Sequence, residues 1–322
     1  MKKNKAMRSA SVLLVATLLT TSVISGTLAK YTTQDAAEDT ARVAKWGVEL
    51  QAIGNLYGDT YKDRIVTEND TTATVQSVDK TADVVAPGTQ NAEGFTFSLK
   101  GKPEVDGTIT TTIKSQNIFL KKGTYGIMIP VAPGVVTADN FDEITDLYTK
   151  SDNTYTAATA YAASATYYTL EDYVVVSDDY YPVVYNLAGK TSYNKGTTKA
   201  DSLNAVAVEL ATKLGIGPGT TDPSNKITTY TGTKTFDTND DLASLLVDGE
   251  KITWAWGYGD ATKVGDTAAE SDKADTILGL LENTTEGEVV KLSGTSYGPL
   301  TEYEDYCLDT QFSIDITVTQ AD

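Results

Sequence analysis

The chain has 322 residues, of which 44 are acidic and 26 are basic, giving a formal net charge of −18 at pH 7. Nucleic-acid binding needs clustered Lys and Arg to replace phosphate counterions, so this charge balance argues against a nucleic-acid partner. The chain contains no histidine and one cysteine, which excludes histidine metal sites and an intramolecular disulfide.

The first 29 residues have the pattern of an export signal. Basic residues precede an apolar run from Val12 to Ile24, and small residues follow at Thr27 and Ala29. Because the run is shorter than the roughly 20 residues that span a bilayer, a cleaved signal peptide is favoured over an uncleaved anchor. The sequence therefore predicts a signal peptide over 1–29, a secreted mature chain starting at Lys30, and contact with the membrane only during export.

Short alternating segments dominate the first part of the mature chain. Trp46, Val48 and Leu50 alternate on one face of a strand predicted from Arg42 to Leu50. Pro87 and Gly88 predict a turn, and the next strands are predicted at 95–99, 108–114 and 125–131, with a weaker one at 72–78. These patterns indicate a β protein.

Two of these stretches carry a family resemblance. They are Gly26-Thr-Leu-Ala-Lys-Tyr with Asp39-Thr-Ala-Arg-Val-Ala-Lys-Trp-Gly-Val, and Val85-Ala-Pro-Gly-Thr with Phe95-Thr-Phe-Ser-Leu. They resemble secreted proteins of the TasA and camelysin family, which Gram-positive bacteria export with a signal peptidase of the SipW type. The resemblance implies a structural subunit of extracellular fibres or biofilm matrix, whose partners are further copies of itself and other matrix or cell-wall components.

The resemblance also implies assembly by donor-strand complementation, in which the N-terminal segment of one subunit completes the sheet of the next. The residues predicted to form this assembly strand are Arg42, Val43, Ala44, Trp46, Val48 and Leu50. The alternative is that they form the first strand of their own sandwich, and the sequence leaves the two open.

The middle of the chain, from Tyr148 to Tyr193, is rich in tyrosine. A hairpin is predicted here, with Ser177 to Asp179 as the turn between strands at 173–176 and 180–187. Tyrosine rings can stack on sugars, so a monomeric adhesin or glycan-binding module is the second functional hypothesis. We favour the simpler interpretation, that these are amphipathic tyrosines on an exposed sheet.

Helices are predicted in the range 195–285. Asp201 is a suitable N-cap for a helix whose apolar residues run from Leu203 to Leu214 at helical spacing, with Gly215 as its stop. A short helix is predicted near Asn239 and another at 274–281, with a core strand between them at 251–256 that carries two tryptophans on one face.

The last strand, Phe312 to Thr319, alternates most clearly of all. Many short strands separated by turns predict an all-β fold, a two-sheet β-sandwich of jelly-roll kind. We expect one domain over 30–322 with short helical insertions at roughly 195–285.

Motifs for catalysis or metal binding are weak. Gly294 to Gly298 matches Gly-x-Ser-x-Gly, but no histidine is present to act as a base, so a surface turn is predicted. Asp237 to Asp248 resembles a calcium loop in which Leu242 replaces the required glycine, and helix capping is favoured. Cys307 is predicted to be a buried apolar residue. We expect the protein to have no enzymatic activity and to bind no cofactor or metal. A hydrolase that uses carboxylates is a weaker third hypothesis.

Export is expected to remove residues 1–29, because the small residues at Thr27 and Ala29 suit the cleavage subsites after the apolar run. N-terminal sequencing of the protein from culture medium should start at or within a few residues of Lys30. Recovery of a chain that retains Met1 would contradict the prediction.

Overall fold

The computed structural model describes residues 48–53, 56–57, 63–64, 85–187, 201–238, 240–242, 250–257, 268–281 and 287–320. Its regular elements are mostly strands. In chain order they are β1 (Val48–Ile53), β2 (Asp63–Arg64), β3 (Thr89–Gly101), β4 (Gly107–Gln116), β5 (Phe119–Leu120), β6 (Gly123–Pro130), β7 (Leu147–Ser151), β8 (Thr154–Ala157), β9 (Tyr167–Val176), β10 (Val184–Leu187), β11 (Thr220–Thr221), β12 (Thr228–Phe236), β13 (Glu250–Trp256), β14 (Glu288–Ser293), β15 (Ser296–Pro299), β16 (Tyr306–Cys307) and β17 (Gln311–Gln320). The helices of this part are α1 (Ser202–Lys213), α2 (Ala268–Leu280) and a 3-10 turn (Phe141–Glu143).

The strands form two open sheets, a barrel and a small ribbon. The first sheet has the order β1-β3-β13-β10, with β2 also paired to β3, and the second has the order β11-β12-β4-β17. A closed six-stranded barrel runs β14-β15-β8-β7-β9-β6, and β16 pairs with β5. The chain is therefore mainly β, as the sequence predicted.

β4 is an inner strand of the second sheet. Ile113 on this strand lies opposite Tyr230 of β12 on one side and Ile314 of β17 on the other. Ile109 and Ile113 are buried, as their predicted alternation requires. On the other face, threonine hydroxyls pair across strands, with Thr108 2.7 Å from Thr319. The β-branched side chains suit this pleated surface.

The predicted first helix is confirmed as α1. The carboxylate of Asp201 accepts hydrogen bonds from the backbone N–H groups of Leu203 and Asn204. The predicted apolar positions, among them Leu203 and Leu210, are fully buried. The helix ends before Gly215, whose φ of 67° lies in the left-handed region that glycine tolerates.

The predicted tryptophan strand is confirmed as β13. Trp254 and Trp256 are both buried, and the register against β3 shifts between Ile252 and Trp254. At this shift Gly94 has a φ of 66°, and a Cβ there would lie 2.1 Å from the carbonyl oxygen of Ile252. Only glycine lets the two backbones approach so closely.

The predicted hairpin at 173–187 is wrong. β9 pairs with β6 and β7 inside the barrel, whereas β10 pairs with β13 in the first sheet. Between them, the backbone of Tyr180 exchanges two hydrogen bonds with Leu120, at 2.7 and 2.9 Å. Pro182 then lacks the N–H that a continuing hairpin ladder needs. The apolar strand β6 is the better partner for β9, although it lies far away in sequence.

Four tyrosines of this region fill the interior, so the predicted placement on an exposed sheet is wrong for these residues. Tyr155, Tyr167, Tyr180 and Tyr185 are each 5% exposed or less. Their rings supply apolar volume, and the hydroxyl of each is hydrogen-bonded within the protein. Tyr161 and Tyr173 are exposed.

The range 195–285 contains α1 and α2, as predicted, and also β12 and β13, which are inner strands of the two sheets. The predicted helix at 274–281 is confirmed as α2, which begins several residues earlier. The strand predicted at 72–78 and residues 243–249 of the second predicted helix lie outside the described residues. No helix in the described ranges has the length and apolar character needed to cross a bilayer.

One large core joins these parts. Its buried residues come from both open sheets, both helices and the barrel. Asp275 of α2 lies inside this core, 6% exposed, and its Oδ1 accepts a hydrogen bond from the Tyr180 hydroxyl and another at 3.1 Å from Trp256 Nε1. The carboxylate thus connects α2 to the first sheet and to the segment that leads into β10.

Replacing Asp275 with alanine should lower the free energy of unfolding by about 2 to 4 kcal/mol, because the buried donors of Tyr180 and Trp256 lose their shared acceptor. Asp272→Ala is the matched control, since Asp272 lies exposed on the same helix, and it should change stability by less than about 0.5 kcal/mol. Denaturant unfolding measures both variants. Equal effects of the two substitutions would contradict the assigned role.

Candidate functional site

The residues predicted from the sequence divide into two groups. Those outside the described residues are Thr27, Ala29, Lys30, Arg42, Val43, Ala44 and Trp46. Val48 and Leu50 lie in β1, where they pair with Gly101 and Leu99 of β3 in an antiparallel register. The end of the predicted assembly strand therefore pairs within its own chain.

The chain directly after β1 is also fixed in place. The carbonyl oxygen of Leu56 accepts hydrogen bonds from Asn91 Nδ2 at 2.9 Å and from Trp254 Nε1 at 2.7 Å. The hydroxyl of Tyr57 lies 2.9 Å from that of Tyr185 and 3.0 Å from Thr310 Oγ1. Burial raises the pKa of Tyr57 to about 12, so this hydroxyl stays neutral at physiological pH. A donated segment would thus have to end before Val48.

An unpaired strand edge lies at the other end of the chain. β17 pairs along its whole length with β4, from Gln311 opposite Gln116 to Gln320 opposite Gly107. Its outer side pairs with no strand in the part of the chain that the structure describes. We call this outer side of β17 the assembly edge. It is ten residues long, compared with six for β1, four for β10 and two for β11.

The assembly edge lacks the usual protection against pairing. Natural edge strands are commonly short, bulged, or interrupted by proline or lysine. β17 has the sequence QFSIDITVTQ, without proline or lysine, and its register with β4 has no bulge. Its core-facing side chains, Phe312, Ile314, Ile316 and Val318, pack against the core but are only partly buried. An added strand would cover them further.

Glu288 joins three strands of the barrel. Glu288 accepts hydrogen bonds from Lys150 and, at 2.5 Å, from the Tyr155 hydroxyl, which ties β14 to β7 and β8. Burial alone would raise the pKa of Glu288, but these two donors outweigh it and the pKa falls.

A cleft of about 270 Å³ lies beside Tyr161, whose ring stacks on Tyr167 at 6.4 Å between ring centroids. We call it the barrel-end cleft.

The Gly-x-Ser-x-Gly match and the calcium-like stretch both take part in local structure. Gly294 and Thr295 form the tight turn between β14 and β15, as predicted, and Ser296 pairs with Ser293. In the calcium-like stretch, Asp240 accepts a hydrogen bond from the backbone N–H of Asp237. Across the described residues, no group of three or more cysteine, aspartate or glutamate side chains is arranged to hold a metal ion.

The edge position of β17 was not visible in the sequence. Alternation identified the strand, but its neighbours β4 and β12 are distant in sequence, so its place at the side of the sheet had no local signal. The hydrogen bonds of Asp275 also join residues that are distant in sequence, so they too had no local signal. The lack of lysine and proline in the strand was a usable signal for an unprotected edge.

Compared with known proteins, the chain matches no family, no curated protein and no solved structure. The family resemblance drawn from the sequence remains a prediction.

Cys307 is fully buried, as predicted. Its Sγ lies 3.2 Å from Gln116 Nε2, and burial raises its pKa to about 11, so the thiol stays protonated below that pH. Ellman's reagent at pH 8 should therefore leave the native protein unlabelled and react with one thiol per chain in guanidinium. Comparable labelling rates in both states would contradict this placement.

Proposed function

We propose that the protein is a secreted structural subunit of extracellular fibres or biofilm matrix, in which an N-terminal segment of one subunit pairs with the assembly edge of the next. The single observation that carries this proposal is the ten-residue outer side of β17, which is long, regular and unprotected. Its partners are further copies of the chain, together with other matrix or cell-wall components.

The energetics favour strand addition at this edge. Each backbone hydrogen bond that the new strand forms contributes roughly 0.5 to 1.5 kcal/mol. Covering the partly buried Ile314, Ile316 and Val318 adds a hydrophobic contribution of about 25 cal/mol per Å² of apolar surface removed from water. These gains are set against an association cost of about 4 to 15 kcal/mol. A partial pairing would be weak, and pairing along most of β17 is needed for a stable fibre.

The N-terminal segment suits this edge in length and pattern. Residues 30–47 precede β1 and outnumber the ten residues of β17. Ala44 and Trp46 are two residues apart, so they would share one face if this segment paired as an extended strand. Because β1 pairs with β3 of its own chain, the donated residues are Arg42, Val43, Ala44, Trp46 and those before them.

The finer fold belongs to the same proposal. The two open sheets contribute to one core, which supports a two-sheet sandwich of jelly-roll kind with the barrel attached to it. In such a sandwich a missing or donated strand at one edge is a natural place for the next subunit. Export through a cleaved signal peptide supplies the chain outside the cell.

Deleting residues 30–47 should leave a folded monomer that does not polymerise, because the donated residues are removed while β1, which starts at Val48, remains. Ile316→Lys should also give a folded monomer that does not polymerise. Here the donor is intact and the assembly edge is blocked, since a lysine on the core side of an edge strand opposes pairing. Thr317→Ser, on the exposed face of the same strand, is the matched control and should form filaments. Electron microscopy and thermal unfolding measure assembly and folding separately.

Mixing the truncated chain with the Ile316→Lys chain gives a sharper test. The first retains an edge and the second retains a donor, so the mixture should form a heterodimer that does not elongate. Size-exclusion chromatography with light scattering reports its mass. Normal filaments from the truncated chain alone would refute the donor-strand proposal.

A further inference from the structure

A polar cleft of about 230 Å³ opens beside the N-terminus of α1. We call it the cap cleft, because the helix N-cap Asp201 lines it. The lining residues that matter here are Asn117, Phe119, Tyr181, Asp201, Asn204 and Lys226. No residue of β17 is among those that line it, so a ligand in this cleft would leave the assembly edge free.

The inner wall of the cap cleft provides acceptors. Asp201 Oδ1 accepts hydrogen bonds at 3.1 Å from Asn117 Nδ2 and from the backbone N–H groups of Leu203 and Asn204. Burial raises the pKa of this carboxyl group. Asn117 is 3% exposed, and its amide oxygen has no hydrogen-bond donor among the described residues. That oxygen is enclosed by the protein, so the acceptor of this wall that is left for a ligand is Asp201 Oδ2, because the hydrogen bonds to Asp201 all end on Oδ1.

The opposite side provides donors. Asn204 Oδ1 accepts a hydrogen bond from the Tyr230 hydroxyl at 2.7 Å, which fixes the amide and leaves its NH₂ group for a ligand. Lys226 lies in the turn between β11 and β12, and none of the described carboxylates forms an ion pair with it. The other cleft lysine, Lys121, is already paired with Asp179 at 2.5 Å.

Aromatic rings complete the cleft. Tyr181 packs against Phe119 with ring centroids 6.2 Å apart and an interplanar angle of 56°. Tyr181 is half-buried, so part of its surface is available next to the polar groups. An aromatic ring beside a carboxylate, an amide and an ammonium group can contact both the C–H face and the hydroxyls of a sugar ring.

We propose that the cap cleft binds a neutral saccharide unit. A hydroxyl group both donates and accepts, so neighbouring sugar hydroxyls can donate to Asp201 and accept from Asn204 and Lys226. An anionic ligand would meet the buried carboxylate of Asp201, and a cationic one would meet Lys226. A purely apolar ligand would leave the buried polar atoms unpaired. The inference goes beyond the structural role of the subunit and does not depend on it.

The test uses the purified protein with methyl glucoside, N-acetylglucosamine and glucuronate as probes, measured by saturation-transfer NMR and calorimetry. At least one neutral sugar should bind more tightly than glucuronate. Lys226→Ala and Tyr181→Ala should each weaken that binding about tenfold, the equivalent of one good polar or ring contact. Asp201 is not substituted, because it also caps α1.

Two controls test whether the sugar binds in the cap cleft. Tyr161→Ala, in the barrel-end cleft, should bind the sugar normally, and Ile316→Lys should bind it even if filaments are lost. If Tyr181→Ala unfolds, Lys226→Ala alone decides. The proposal is overturned if neither neutral probe binds, if glucuronate binds best, if Lys226→Ala binds like the parent, or if Tyr161→Ala abolishes binding.

Discussion

Buried tyrosine hydroxyls are the constraint on which this structure depends. The core uses tyrosine rings as large apolar filler, and each ring brings a hydroxyl that costs stability unless it is hydrogen-bonded. The clearest case joins Tyr57, Tyr185 and Thr310, with the last two oxygens 2.6 Å apart. This cluster connects the segment after β1, the edge of the first sheet and the start of β17. With one cysteine in the chain, such contacts stabilise the fold without an intramolecular disulfide.

The same constraint fixes the position of the chain from β1 onwards. Because Leu56 and Tyr57 are hydrogen-bonded to inner strands, removing β1 from its sheet would break several buried polar contacts at once. These contacts hold the chain from Val48 onwards. In the proposed assembly, buried polar contacts therefore set the boundary between β1, which pairs within its own chain, and the donated segment before it. The sequence pattern from Trp46 to Leu50 does not reveal this boundary.

Local patterns predicted elements well and their partners poorly. The cap at Asp201 with the stop at Gly215, the tryptophans of β13 and the alternation of β17 are all local signals, and the structure has each element at the predicted place. The hairpin failed because β9 has two better partners elsewhere in the chain. The barrel, the edge position of β17 and the cap cleft depend on contacts between distant residues, and no short window of sequence contains them.

Net charge explains why an unprotected edge can persist in this protein. A chain of charge −18 repels its copies, but at physiological salt this repulsion is screened beyond about 8 Å. The repulsion therefore acts at short range, where it disfavours contacts between acidic surfaces and opposes least a contact made by a nearly neutral strand. β17 itself carries only one charged residue, Asp315, so the repulsion is weakest along the assembly edge. Acidic surface elsewhere and a neutral strand at the edge together favour one specific contact over general aggregation.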